Sequence, residues 1–217
     1  MTTLVETQHK SEFLVTEFDG TLSRETITVL SGQVLQAGHV LGKVTVGTVT
    51  GAAASGNTGN GAISALSAGA GAKPGVYQAI CIAVATNSGT FEVTDPDGVA
   101  IGRVVVGAAF AGAVNFTIGD GATDYAAGDR WLITVAEGSD KYKEYNPANT
   151  DGSEVPVALC LDNVDATAGD QKAVAILRMA EVNAAELIWF SGATDNQKAA
   201  GLAILKTTQN IAARSAI

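Results

Sequence analysis

The sequence predicts a mainly β fold with short C-terminal helices, an α+β class, and three observations predict it. Its 217 residues hold 25 glycines and only 4 prolines amid runs of Thr, Val and Ala, a composition suited to many short strands joined by tight turns. Apolar and polar residues alternate over much of the chain, as they do in half-buried strands. Helix start signals gather only toward the end. With 47% hydrophobic residues the chain can bury a core.

The elements follow in order. The polar, aperiodic start up to about Ser11 reads as an extended arm, assigned to residues 1–20 with its first strand. In "EFLVTEF" Phe13 and Val15 alternate with polar neighbours, and in "RETITVL" Thr26 and Thr28 alternate with Ile27 and Val29. Gly32, Gly38, Gly42 and Gly47 then punctuate "SGQVLQAGHVLGKVTVGTVT", which favours turns or bulges over a helix. The segment "GAAASGNTGNGAISALSAGAGAKPG", Gly51 to Gly75, has almost no large side chain and reads as a linker or long surface loop. Beyond it, strand-length runs recur. In "FEVTDPDGVAIGRVVV" the Asp-Pro-Asp-Gly stretch supplies a hairpin turn. Residues 52–138 are therefore expected to form an inserted all-β module with its Gly/Ala/Ser-rich linker, a small sandwich compact from about Ala62. Residues 21–51 and 139–217 are expected to form one discontinuous domain around it. Near the end, Asn183 with Glu186 and Thr194 with Gln197 have capping-box spacing. The apolar stripe through residues 199, 202, 203 and 205 is broken only by Gly201.

Most functional classes find no support in these residues. A formal charge of −9 repels phosphate backbones, so no nucleic-acid partner is expected. No apolar run approaches the length of a membrane span, and "MTTLVETQHK" lacks the features of a leader. The chain reads as soluble and made in a cytoplasm. Cys81 and Cys160 each lie in apolar runs and read as small buried hydrophobes, with no support for a disulfide. His9 and His39 lack the companions of a catalytic triad and read as surface or partner-contacting residues. "TDPDG" and "GDGATDYAAGD" lack the order of a calcium loop, and "GNTGNGAISALSAGAGAKPG" lacks the ending of a phosphate loop. No catalytic, metal or cofactor site is expected. Trp131 reads as core, whereas Trp189 and Phe190 serve either as the anchor of the terminal helix or as part of a subunit interface.

The stretch from Ser11 to Thr45, with "SRE" at Ser23–Glu25 and "GQVLQAGHVLGKVT" at Gly32–Thr45, together with "DGSEVPVALCLDNVDA" and "AVAILRMAEVNAAELIWF", resembles the head decoration proteins of tailed bacteriophages. That family includes the lambda capsid-stabilising protein D. The resemblance covers about Ser11–Val49 and Lys141–Ile217, and the middle departs from the family's shorter members. It implies a decoration-protein β domain, no enzymatic activity, and a homotrimer bound to the major capsid protein on the outer surface of the virion, stabilising an expanded head against internal DNA pressure. An arm that adds a strand to the shell is implied as well, with Phe13, Val15 and Phe18 as capsid-contact candidates. The insert's role stays open, with a host-surface or glycan contact as one expectation. The competing readings are adhesion or carbohydrate binding through the insert, and a hydrolase with a carboxylate pair.

Overall fold

The computed structural model describes residues 9–214, so the expected arm tip, residues 1–8, lies outside the described residues. The fold is mainly β with one long C-terminal helix, an α+β class. The chain divides into two compact units. Unit 1 comprises Met1–Val44, Asp140–Asn149 and Ser153–Ile217, and unit 2 comprises Thr45–Ser139 with Thr150–Gly152.

Unit 1 is built on a closed five-stranded barrel in the order Tyr142–Glu144, Arg24–Val29, Gln171–Ile176, Pro156–Cys160 and Val40–Lys43. The alternation in "RETITVL" does what it predicts, since Ile27 and Val29 are buried while Thr26 is exposed and Thr28 half-buried. A barrel this small has room for few large side chains. Ala158, Cys160, Ala173 and Ala175 accordingly pack with Ile27, Val29 and Leu41 inside one cluster. Gly42 is required by a close backbone approach, because a Cβ there would lie 2.3 Å from the Ser153 carbonyl oxygen.

A second core cluster of unit 1 gathers a three-stranded sheet, Leu14–Glu17, Ala180–Asn183 and Ile211–Arg214, with the helix Asp195–Gln209. The helix starts on the expected capping box. The Thr194 hydroxyl accepts from the Gln197 N–H, and the Gln197 side-chain oxygen accepts from the Thr194 N–H. It ends at Asn210 in the left-handed conformation at φ +54. Asn183 caps only a single 3-10 turn, Ala184–Glu186. Gly201, expected to break the apolar stripe, instead lies at the helix contact: a Cβ there would come within 2.6 Å of the Trp189 ring. We expect Gly201→Ala to destabilise unit 1 by about 1–3 kcal/mol through overpacking, beyond the roughly 1 kcal/mol that alanine returns as helix propensity. Denaturant unfolding measures the net sign.

Unit 2 has two antiparallel sheets contributing to one core. One runs Val46–Ala53, Arg130–Glu137, Gly75–Ala85, Ser88–Thr94, Ala100–Val105, and the other Ala109–Phe110, Val114–Ile118, Ile63–Ala68. Phe91, Tyr77, Phe116, Ile118 and Ile133 fill the core, with Trp131 buried among them as expected. The Asp-Pro-Asp-Gly turn forms too, with the Asp95 carboxylate accepting from the Asp97 and Val99 N–H groups.

The stretch Gly51–Gly75 is not a linker. It finishes one strand and contains another, Ile63–Ala68, whose Ile63 and Leu66 pack on the core. Its small residues permit close approach: a Cβ on Gly61 would meet the Tyr125 hydroxyl at 2.0 Å, and one on Gly69 the Gly112 carbonyl at 1.9 Å. The buried Asp129 carboxylate ties the loop down by accepting from the Thr58, Gly59 and Ala126 N–H groups. Burial opposes its charge, but these three donors outweigh it and hold the carboxyl below the usual range.

Candidate functional site

The first described residues of unit 1 fold back onto it. Lys10 Nζ lies 2.5 Å from Asp162 Oδ1. Burial works against the Asp162 charge, yet the Lys10 ammonium and the Val174 N–H hold its carboxyl below the ordinary range. Phe13 is fully buried in the second core cluster, and its carbonyl accepts from the Asn183 N–H at 2.8 Å. Period-two alternation puts Phe13 and Val15 on one face, but the register against Ala180–Asn183 slips between Leu14 and Thr16. That bulge re-aims the chain, leaving Phe13 inside and Val15 57% exposed. Phe13 is thus a core residue of unit 1 rather than part of a free arm. Residues 10–20, expected within the arm, hold the strand Leu14–Glu17 and the first residue of the short helix Gly20–Ser23, all within unit 1.

Just beyond this strand an apolar patch is assembled from distant parts of the chain. Phe18 is 75% exposed, Leu22 50% and Met179 43%. The Phe18 N–H and the Ser23 hydroxyl both donate to the Met179 carbonyl, at 3.0 and 3.1 Å, and Arg178 Nη1 donates to the Leu22 carbonyl at 2.8 Å. Asp19 caps the short helix Gly20–Ser23 by accepting from the Thr21 N–H at 2.7 Å, and Arg24 forks onto Glu17 at 2.9 and 2.6 Å. Met179 has φ +52, a conformation uncommon for a side chain of its size. The sequence pointed to Phe18 but not to Leu22 or Met179. Met179 is brought there by the bonds its carbonyl accepts from the Phe18 N–H and the Ser23 hydroxyl, both spanning more than 150 residues, and no local pattern encodes that.

The other candidates sit elsewhere in unit 1. Phe190 is buried and meets Tyr145 edge-on with ring centroids 6.0 Å apart. Trp189, half-buried, meets the same ring at 5.9 Å and covers Gly201. Trp189 thus packs on the terminal helix, and Phe190 shares a core cluster with its Leu205. His39, read as a surface or partner-contacting residue, is half-buried between Gln36 and Glu144: the Gln36 N–H points at its Nδ1 from 2.8 Å, and Nε2 lies 3.7 Å from Glu144 Oε1. Burial depresses its pKa below 6.5 against the opposing pull of Gln36 and Glu144. A base depressed in the folded state contributes stability that is fully present above its unfolded pKa and is lost as pH falls from that value through the lower folded one. We expect the melting temperature to fall as pH drops below about 6.5, and His39→Gln to flatten that slope in a pH series of thermal melts.

Reactive chemistry is sparse. Both cysteines are buried free thiols, and burial pushes Cys160 up to about 11 and raises Cys81 as well. Among the described residues, no group of three or more His, Cys, Asp or Glu side chains is placed to hold a metal ion.

Residues 3–210 match the family described as Bacteriophage lambda head decoration protein D. The chain belongs to that family. Its members are structural proteins that decorate the phage capsid, so this chain is a head decoration protein associated with the virion capsid. No curated protein matches it. Two crystal forms of FlgL from Xanthomonas campestris, in space groups H3 and C2, align at 23% and 22% identity with 49% of the chain and a TM-score of 0.33. The alignments span only 34% and 33% of the FlgL chains, about a third of their length, and likeness at that level bears on neither fold nor function.

Proposed function

We propose that this decoration protein binds the major capsid protein on the outside of an expanded head as a trimer and stabilises the shell against the pressure of packaged DNA. The observation that carries the reading is the family match over residues 3–210. The patch of Phe18, Leu22 and Met179 on unit 1 supports it, because exposed apolar side chains grouped in this way mark interaction surfaces. The strand Leu14–Glu17 lies at the edge of its sheet, where the preceding segment can continue into strand addition on a capsid subunit. Three such attachments in one trimer act at high effective concentration, so avidity exceeds the single-site affinity by about a hundredfold. Trp189, only half-buried, is the remaining candidate for contact between subunits. The net charge of −9 keeps a protein that faces solvent from adhering to DNA.

A glycan-binding role for unit 2 gains no support from its surface. Its six aromatic residues, Tyr77, Phe91, Phe110, Phe116, Tyr125 and Trp131, are all buried, so no exposed ring offers a stacking platform. Mixing the purified protein with expanded, undecorated heads of its own phage and imaging the particles tests the capsid reading. Regular density at three-fold positions is expected, and particles that stay bare would overturn it.

A further inference from the structure

Unit 2 begins and ends at one point of unit 1. The strands Val40–Lys43 and Tyr142–Glu144 are antiparallel neighbours with Lys43 opposite Tyr142. One step further, the Val44 N–H donates to the Lys141 carbonyl and the Asp140 N–H donates to the Val44 carbonyl, each at 2.9 Å. Asp140 is left-handed at φ +58. These are the hydrogen bonds and the backbone of a three-residue hairpin loop whose last residue is left-handed and forms a bulge. Asp140 occupies the third loop position, a place where aspartate tolerates positive φ. Thr45 and Ser139 stand at the first and second, and the rest of the chain from Val46 to Gly138 runs between them.

Each unit is also closed by itself. Every residue of the unit 2 core cluster lies between Val46 and Val135, and neither unit 1 cluster contains a residue from that stretch. No strand of the unit 1 barrel pairs with a strand of unit 2. The turn Thr150–Gly152 goes with unit 2, because the Asp151 carbonyl accepts from the Thr45 and Val46 N–H groups at 2.9 Å. The first of those donors belongs to the loop itself.

We infer that unit 2 is a passenger set into a β-hairpin of unit 1, and that unit 1 alone carries attachment to the head. The inference rests on the capsid reading above and deepens it. The hairpin is an acceptor position: what it carries can be removed or exchanged without opening the barrel, because its closing hydrogen bonds lie on the unit 1 side of the junction.

Two variants test this. Deleting Val46–Gly138 joins Thr45 to Ser139 and leaves the loop Thr45-Ser139-Asp140. We expect this variant to melt in one cooperative transition and to bind expanded, undecorated heads within about threefold of the full chain's affinity. A variant that does not fold would overturn the inference. So would a folded variant whose binding falls by more than about tenfold while the full chain still binds. Failure of the full chain itself to bind would instead remove the capsid reading, and the melting of the deletion would still decide whether unit 1 stands alone. In the intact protein, Phe91→Ala removes a fully buried side chain of unit 2. Calorimetry should show the unit 2 transition lowered, the unit 1 transition unmoved and head binding kept within the same range. A single transition shifting as a whole would count against independence.

Discussion

Replacing Phe13 by alanine is expected to destabilise unit 1 by about 3–5 kcal/mol, the usual result of emptying a buried phenylalanine site. Phe13 has no exposed surface and packs in a cluster with Leu159, Leu161, Val182 and Leu205, so neighbouring strands and the helix all lose contacts. Its carbonyl still accepts from Asn183, which restrains the backbone and limits collapse around the cavity. Denaturant unfolding followed by tryptophan fluorescence reports the loss, since Trp189 packs against the same cluster. Unchanged unfolding together with weakened head binding would return Phe13 to the role of a capsid anchor.

The second large effect is expected on binding alone. Phe18→Asp places a charge at the centre of the exposed patch formed with Leu22 and Met179. Burying an unpaired carboxylate in an apolar contact is costly, and central aromatic anchors contribute about 2 kcal/mol or more at interfaces. Head binding should therefore weaken by about thirtyfold or more, with the melting temperature unchanged because the side chain is 75% exposed. Cosedimentation with undecorated heads measures it. Equal binding by Phe18→Asp and the unsubstituted chain would move the contact surface away from this patch.

Where local physics decided the structure, the sequence was readable. Thr194 and Gln197 form their capping box, Asp95 closes its turn, and Ile27 and Val29 point inward because a strand half-buried on one face demands a period of two. What escaped depended on partners distant in the chain. Leu14 and Thr16 slip register against a strand more than 160 residues away, so Val15 does not share the buried side of Phe13 that period-two alternation alone would give it. The stretch Gly51–Gly75 looked like a linker or long surface loop because it lacks bulk, yet Gly59 and Gly61 lie against Tyr125 and Gly69 against the Gly112 carbonyl. Composition reports how much a residue can fill, not how close its neighbour comes. For the candidate surface, Phe18 was visible as an aromatic residue near the start. Leu22 and Met179 required the tertiary hydrogen bonds that bring residues 18–23 and 178–179 together.

The two native thiols have a practical consequence for following the protein on particles. Cys81 and Cys160 are buried and remain protonated near neutral pH, so neither offers the thiolate that maleimide probes need. One cysteine engineered into an open turn then becomes this protein's own attachment point for a dye or a gold cluster.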